Sequence, residues 1–163
     1  MADRLDVERR SRLMKKIRGK DTKPELVVRS LLHRLGYRYR LHRKDLPGTP
    51  DIVFASRKSV LFVHGCFWHG HGCRIGRLPK SKLDYWGPKI EANRLRDGRK
   101  EAALSEAGWT VGVVWQCGLA DSAALETWLE VFLNTPKKTI DNAIVFAYPP
   151  SPESNLSLNR NRT

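Results

Sequence analysis

The sequence is short of acid. Its 163 residues hold 17 Asp and Glu against 30 Lys and Arg, for a formal charge of +13 and a pI of about 10.1. That imbalance argues against an indifferent solvated surface and asks for a polyanionic partner, nucleic acid first. The shortage is uneven. Residues 1–50 carry 15 basic side chains against 6 acidic, whereas the remaining 113 carry 15 against 11. The first third therefore reads as an electrostatic clamp for a phosphate backbone. Cysteine is scarce and odd in number: Cys66, Cys73 and Cys117. Three thiols argue against a disulfide framework and, beside histidines, suggest metal. No apolar run approaches the ~20 residues that span a bilayer. The opening MADRLDVERR lacks the apolar stretch of a secretory signal, so the cytoplasm is the expected location. There are no internal repeats. With 40% hydrophobic residues and a mean hydropathy of −0.49, the chain is expected to be globular with a real core.

Apolar periodicity lays out the elements. Residues 6–18 read as a basic helix, too polar for the core, broken at Gly19. Residues 22–36 form a better one: Thr22 and Glu25 have capping-box spacing, Leu26, Val27, Leu31, Leu32 and Leu35 make a stripe, and Gly36 ends it. Residues 37–42 alternate like a half-exposed strand. The runs 51–55 and 59–64 read as a hairpin. A long helix is expected over 88–107, with Gly98 as its weak point. A buried strand is expected over 109–117 and a helix over 122–133. From Thr135 the chain is rich in Pro, Asn and Ser, and its end is expected to be disordered. The result is an α/β domain, a mixed central sheet flanked by helices. Its expected divisions are a basic arm (1–20), a catalytic domain (21–134) and a tail (135–163).

The segment 64-HGCFWHGHGC-73 is the densest in chemistry. Cys66, His71 and Cys73 lie close in sequence, and a neighbouring strand would bring Cys117 beside them. Four N and S donors make a closed, structural zinc site. On spacing alone His69 can exchange with His71 as the ligand, and Cys117 can be a plain buried thiol. Upstream, Pro50-Asp51 opens a strand at the sheet's rim. There a carboxylate either holds a divalent cation or caps the turn. Trp109 and Trp115 belong with the apolar strand and Trp128 with the last helix.

Pro-Asp on one strand followed by acid-x-Lys on the next is the pattern of PD-(D/E)xK nucleases. Here the second element is Phe62-Val63-His64, so acid and lysine are both replaced. That departure, with 21-DT, Glu25, 46-LPGTPD-51, 64-HGCFWH-69, His71, Cys73, Trp86 and 115-WQC-117, closely resembles the very short patch repair endonucleases. The resemblance covers most of the chain and leaves out the tail. It implies a restriction-endonuclease-like fold and a Mg2+-dependent enzyme. The implied reaction is nicking of double-stranded DNA 5′ to the thymine of a T:G mismatch left by 5-methylcytosine deamination.

The resemblance also assigns roles. Asp51 would hold one or two Mg2+ ions, with the backbone carbonyl of Val63 as a further ligand. Val63 is threonine in many relatives. His64 and His69 would be the catalytic imidazoles, and Glu25 an acid near the metal's water shell. Cys66, His71, Cys73 and Cys117 would bind Zn2+. Phe67, Trp68 and Trp86 would wedge into the base stack, a step that is cheaper at a mismatch than at a paired step. Arg12, Lys15, Lys16, Arg18 and Lys20 would track the DNA backbone. A monomer is expected, working alongside mismatch-repair proteins and a cytosine-5 DNA methyltransferase. His69 is favoured as general base, since zinc ligands on either side would hold it rigid. Two rival functions are a nuclease with another trigger and a non-catalytic, zinc-stapled DNA-binding module.

Overall fold

The computed structural model describes residues 6–16, 19–135 and 144–146. Helix α1 runs Val7–Lys16, with Asp6 accepting the Arg9 amide at 2.7 Å. Arg18 and the tail beyond 146 lie outside the described residues, as do the side chains of Lys15 and Lys16. Helix α2 spans Lys23–Arg34 and begins with the expected capping box: Thr22 takes the Glu25 amide, and Glu25 reaches back to the Thr22 amide.

Five strands form one mixed sheet in the order β1 (Arg40–Leu41), β2 (Ile52–Phe54), β3 (Ser59–His64), β4 (Thr110–Trp115), β5 (Ile144–Phe146). The first three are antiparallel; β3, β4 and β5 run parallel. Parallel neighbours need crossovers, and helices α3 (Leu83–Glu106) and α4 (Ser122–Asn134) provide them. Alternation along the central strands divides the core in two. Ile52, Phe54, Leu61, Val63 and Val114 pack with α2 and α4. Val53, Val60, Phe62, Val111 and Val113 face the other way, with Leu104 of α3. Both faces of β3 are covered, so the strand is buried throughout. Gly112 lies where a Cβ would stand 2.5 Å from Leu61 and 2.8 Å from Phe132, so that close packing needs glycine. Among the described residues no helix is long and apolar enough to cross a membrane.

Three expectations shift. The strand over 37–42 shrinks to two residues, because His42 turns into the left-handed region (φ 47°). Tyr37 and Tyr39 instead set their rings edge-on to Phe54. Helix α3 starts five residues early, with Pro88 inside it. Proline lacks one helical donor, but Trp86 is buried against the Phe67 ring at 5.1 Å and anchors that first turn. Strand β4 ends at Trp115, and a 3-10 turn, Gln116–Ala120, carries Cys117.

Candidate active site

A cleft of about 510 Å³ opens at the sheet's end, where β2 begins and β3 ends. Glu25, Asp51, Val63, His64, His69 and Lys20 all line it. The approach to Asp51 is tightly turned. Gly48 (φ 72°) and Thr49 (φ 50°) are both left-handed, a conformation that is costly for a β-branched residue. Gly48 also passes so near Lys100 that a Cβ would stand 2.7 Å from its side chain. Asp51 then reaches across to β3, where Oδ2 accepts the Val63 amide at 2.8 Å. Burial raises the carboxyl to about 6, against the lowering effect of that hydrogen bond; the Glu25 charge adds to the rise. Such a carboxylate binds a cation readily, because the ionised form lacks a full solvent shell.

His64 ends β3, buried, and His69 lies flat upon it with ring centroids 3.9 Å apart and 2° between planes. Burial first, then the neighbouring His69, drives His64 down to about 3, so it is neutral at working pH. His69 Nδ1 is 2.5 Å from Oδ2 of Asp97, a buried residue of α3. Burial pushes the Asp97 carboxyl up, but the His69 hydrogen bond and nearby positive charge outweigh it, and the net shift is downward. An ionised carboxylate can only accept, so His69 Nδ1 carries a proton, and in the neutral ring the lone pair is on Nε2. Lys100 Nζ stands 3.6 Å from the other Asp97 oxygen.

Immediately behind lies a second cluster. The donor atoms of Cys66, His71, Cys73 and Cys117 all fall within 4.8 Å of one another. Cys66 Sγ accepts the Cys117 amide at 3.3 Å, and Cys117 Sγ is 3.5 Å from His71 Nδ1. Burial pushes the Cys66 thiol up to about 12. At Cys73 burial is outweighed by the amides of Gly76 and Ile75 and by the neighbouring thiols, for a net lowering. Gly76 cannot bear a Cβ, which would stand 2.0 Å from the His71 carbonyl. Three sulfurs and one nitrogen at this spacing fit a tetrahedral metal ion, with the ion supplying the charge that buried thiolates need.

The aromatics form a third group. Phe67, Trp68 and Trp86 contact one another at 5.0–6.1 Å. Phe67 and Trp68 are half-buried and Trp86 is buried beneath them. Asn93 holds the Trp68 carbonyl at 2.8 Å. Lys20 is exposed on the cleft's rim, and Arg12 is exposed on α1. Sequence reasoning missed Asp97, Arg29 and His42, as well as the site role of Trp115, which stacks on His71 at 4.5 Å. Only Trp115 carried a signal, by its place in 115-WQC-117.

A half-buried carboxylate, two stacked imidazoles, one held by a second carboxylate, and a basic rim make up a nuclease-type site. Residues 2–75 match the family described as DNA mismatch endonuclease Vsr. The type II nicking enzyme V.XorIIP of Xanthomonas oryzae pv. oryzae is 71% identical over 82% of this chain and 98% of its own length. V.NmeAIP of Neisseria meningitidis, also a type II nicking enzyme, is 46% identical over 76% of this chain and 88% of its own. The DNA mismatch endonuclease Vsr of Escherichia coli is 41% identical over 73% of this chain and 76% of its own. The chain belongs to the Vsr family of DNA endonucleases.

Proposed function

We propose that this protein nicks double-stranded DNA on the 5′ side of the thymine in a T:G mismatch, the lesion left by 5-methylcytosine deamination, in a Mg2+-dependent hydrolysis. The observation that carries this reading is the convergence of Asp51, the Val63 backbone and the His64–His69 pair on one cleft. Asp51 and the Val63 carbonyl would hold Mg2+, which when bound neutralises charge developing on the phosphate and the leaving oxygen. His69, its Nδ1 held by Asp97, uses Nε2 to take the proton of the attacking water. His64 stays neutral and supports the His69 ring from behind. Glu25, at the cleft wall, orders water beside Asp51.

Cys66, His71, Cys73 and Cys117 would hold Zn2+ in a structural role. Two of them flank His69 in sequence, so closing that site fixes the base's backbone. Phe67 and Trp68, half-exposed on the same loop, enter the base stack, where a mismatch unstacks more cheaply than a paired step. Lys20 and Arg12, with the rest of the basic N-terminal third, grip the phosphates. The core is read as a restriction-endonuclease-like fold, with the acid-x-Lys of PD-(D/E)xK enzymes replaced by Val63-His64.

The test uses three duplexes of one sequence: T:G, fully matched, and branched. Each is incubated with Mg2+ and with none. Nicking of the thymine strand in the T:G duplex alone, and only with Mg2+, is the expected result. Equal nicking of all three would overturn the mismatch reading.

A further inference from the structure

One cluster in the cleft wall reaches beyond the chemistry above, which uses only its Glu25. Asp21, Glu25 and His42 place one donor atom each within 4.8 Å of the others, the spacing of a cation site. The Arg29 guanidinium sits among them. Its Nη1 is 2.6 Å from Asp21 Oδ1, and its Nη2 is 2.7 Å from Glu25 Oε2 and 2.9 Å from His42 Nε2. Glu25 and Arg29 meet because they are four apart on α2. Both side chains are nine-tenths buried or more. Asp21 (φ 55°) and His42 (φ 47°) are held left-handed around the guanidinium. Strain of that kind persists only where the surroundings hold it in place.

We propose that Arg29 is the resident cation of this acidic nest, standing where a second exchangeable metal ion would otherwise bind, and that it positions His42 toward Asp51. Arginine only donates and stays charged. His42 Nε2 must therefore accept, which leaves the imidazole neutral with its proton on Nδ1. That nitrogen faces Asp51 Oδ1 at 3.9 Å, and the His42 amide is tied to the Asp51 carbonyl at 3.4 Å. The positive end of the N–H dipole thus steadies the carboxylate oxygen not engaged by Val63. Asp21, Glu25 and Asp51 together carry three negative charges, and Arg29 cancels one without being exchangeable. The wild-type cleft then needs a single divalent ion, at Asp51. Arg29 is a positioning residue, acting through His42 and Glu25.

The inference rests on Asp51 holding a divalent cation, and the experiment separates the two claims. Bound Mn2+ is counted by electron paramagnetic resonance on the zinc-loaded full chain, without DNA. Wild type is expected to bind one ion, lost in Asp51→Asn. Arg29→Ala is expected to bind two, the second lost again in Arg29→Ala/Glu25→Gln. Arg29→Gln serves in place of Arg29→Ala if circular dichroism shows the alanine variant unfolded. Nicking by the Arg29 variants should fall at least tenfold at low Mn2+ and recover as Mn2+ rises. No Asp51-dependent ion in wild type would overturn the cation reading of Asp51, and this inference with it. One Asp51-dependent ion in wild type and only one in the Arg29 variants, or two in both, would overturn the inference alone.

Discussion

Asp97 Oδ2 lies 2.5 Å from His69 Nδ1, the nitrogen turned away from His69's lone pair. This contact fixes which end of the ring is basic. In Asp97→Asn the carboxamide can turn its NH2 toward Nδ1 and so place the proton on Nε2. The fold should survive, because the amide has the shape of the acid. The single-turnover nicking rate should fall on the order of 10²–10⁴-fold, the usual range for losing a positioned base. Affinity for a T:G duplex, measured by anisotropy, should change little. A rate within threefold of wild type would remove Asp97 from the mechanism.

Asp51 predicts a trade between stability and activity. Its folded pKa of about 6 stands above the ordinary 3.8. The folded state therefore binds the proton more tightly than the unfolded state does. The resulting stabilisation is fully present below about pH 4 and is lost as pH rises through about 6. At neutral pH the ionised carboxylate is a strain on the fold of at most about 3 kcal/mol. Asp51→Asn keeps an oxygen for the Val63 amide and removes the charge. Without added Mg2+, its melting temperature should exceed wild type above pH 6 and match it near pH 4, while nicking is abolished. A lower melting temperature at pH 7.5 would contradict the raised pKa.

The same group should set the acid limb of the rate profile. Protons and Mg2+ compete for one carboxylate, so the limb near pH 6 should move to lower pH as Mg2+ is raised. His64, at about 3, is too low to produce that limb. A limb that stays fixed from sub-millimolar to saturating Mg2+ would assign it to a titrating histidine instead.

What could be read in the sequence was what is local. The capping box of α2 and the hairpin each lie within a few residues, and chain geometry settles them; the cysteine–histidine spacing left His69 and His71 exchangeable, and only the fold brings Cys117 to His71. Asp97 was not legible. It stands 28 residues from His69 and is flanked by Arg94, Arg96, Arg99 and Lys100, where an acid reads as a solvated ion-pair partner. Arg29 and His42 were hidden for the same reason, since their contact exists only once α2 packs beside the turn after β1. Strand β5 was read as tail, because three apolar residues mean little until β4 offers an edge in parallel register. Trp115 was correctly placed in its strand, but which face its ring covers depends on where the strand ends.

The cysteine cluster should act on catalysis only through structure. Cys117→Ser removes one of the three donor sulfurs and keeps the backbone amide that Cys66 Sγ accepts. Bound zinc, measured by atomic absorption, should drop from one per chain toward none. The melting temperature should fall by a margin reflecting several kcal/mol. Replacing Zn2+ with Co2+ should restore tetrahedral ligation and most of the nicking rate, because no step uses the ion as a Lewis acid. A Co2+ enzyme with a shifted pH optimum would instead make this metal catalytic.

The aromatic trio should divide between fold and recognition according to burial. Trp86 is 4% exposed and anchors the first turn of α3, just ahead of Pro88, which lacks a helical donor. Trp86→Ala should therefore cost about 3–5 kcal/mol of stability, as for a large core aromatic. Phe67 is half-exposed on the loop above it. Phe67→Ala should cost well under half as much and should narrow the preference for T:G over matched DNA roughly tenfold or more. If Trp86→Ala leaves the melting temperature unchanged but destroys mismatch preference, then Trp86 leaves its pocket when DNA binds. The contacts among the three rings would in that case be a resting arrangement that the lesion opens.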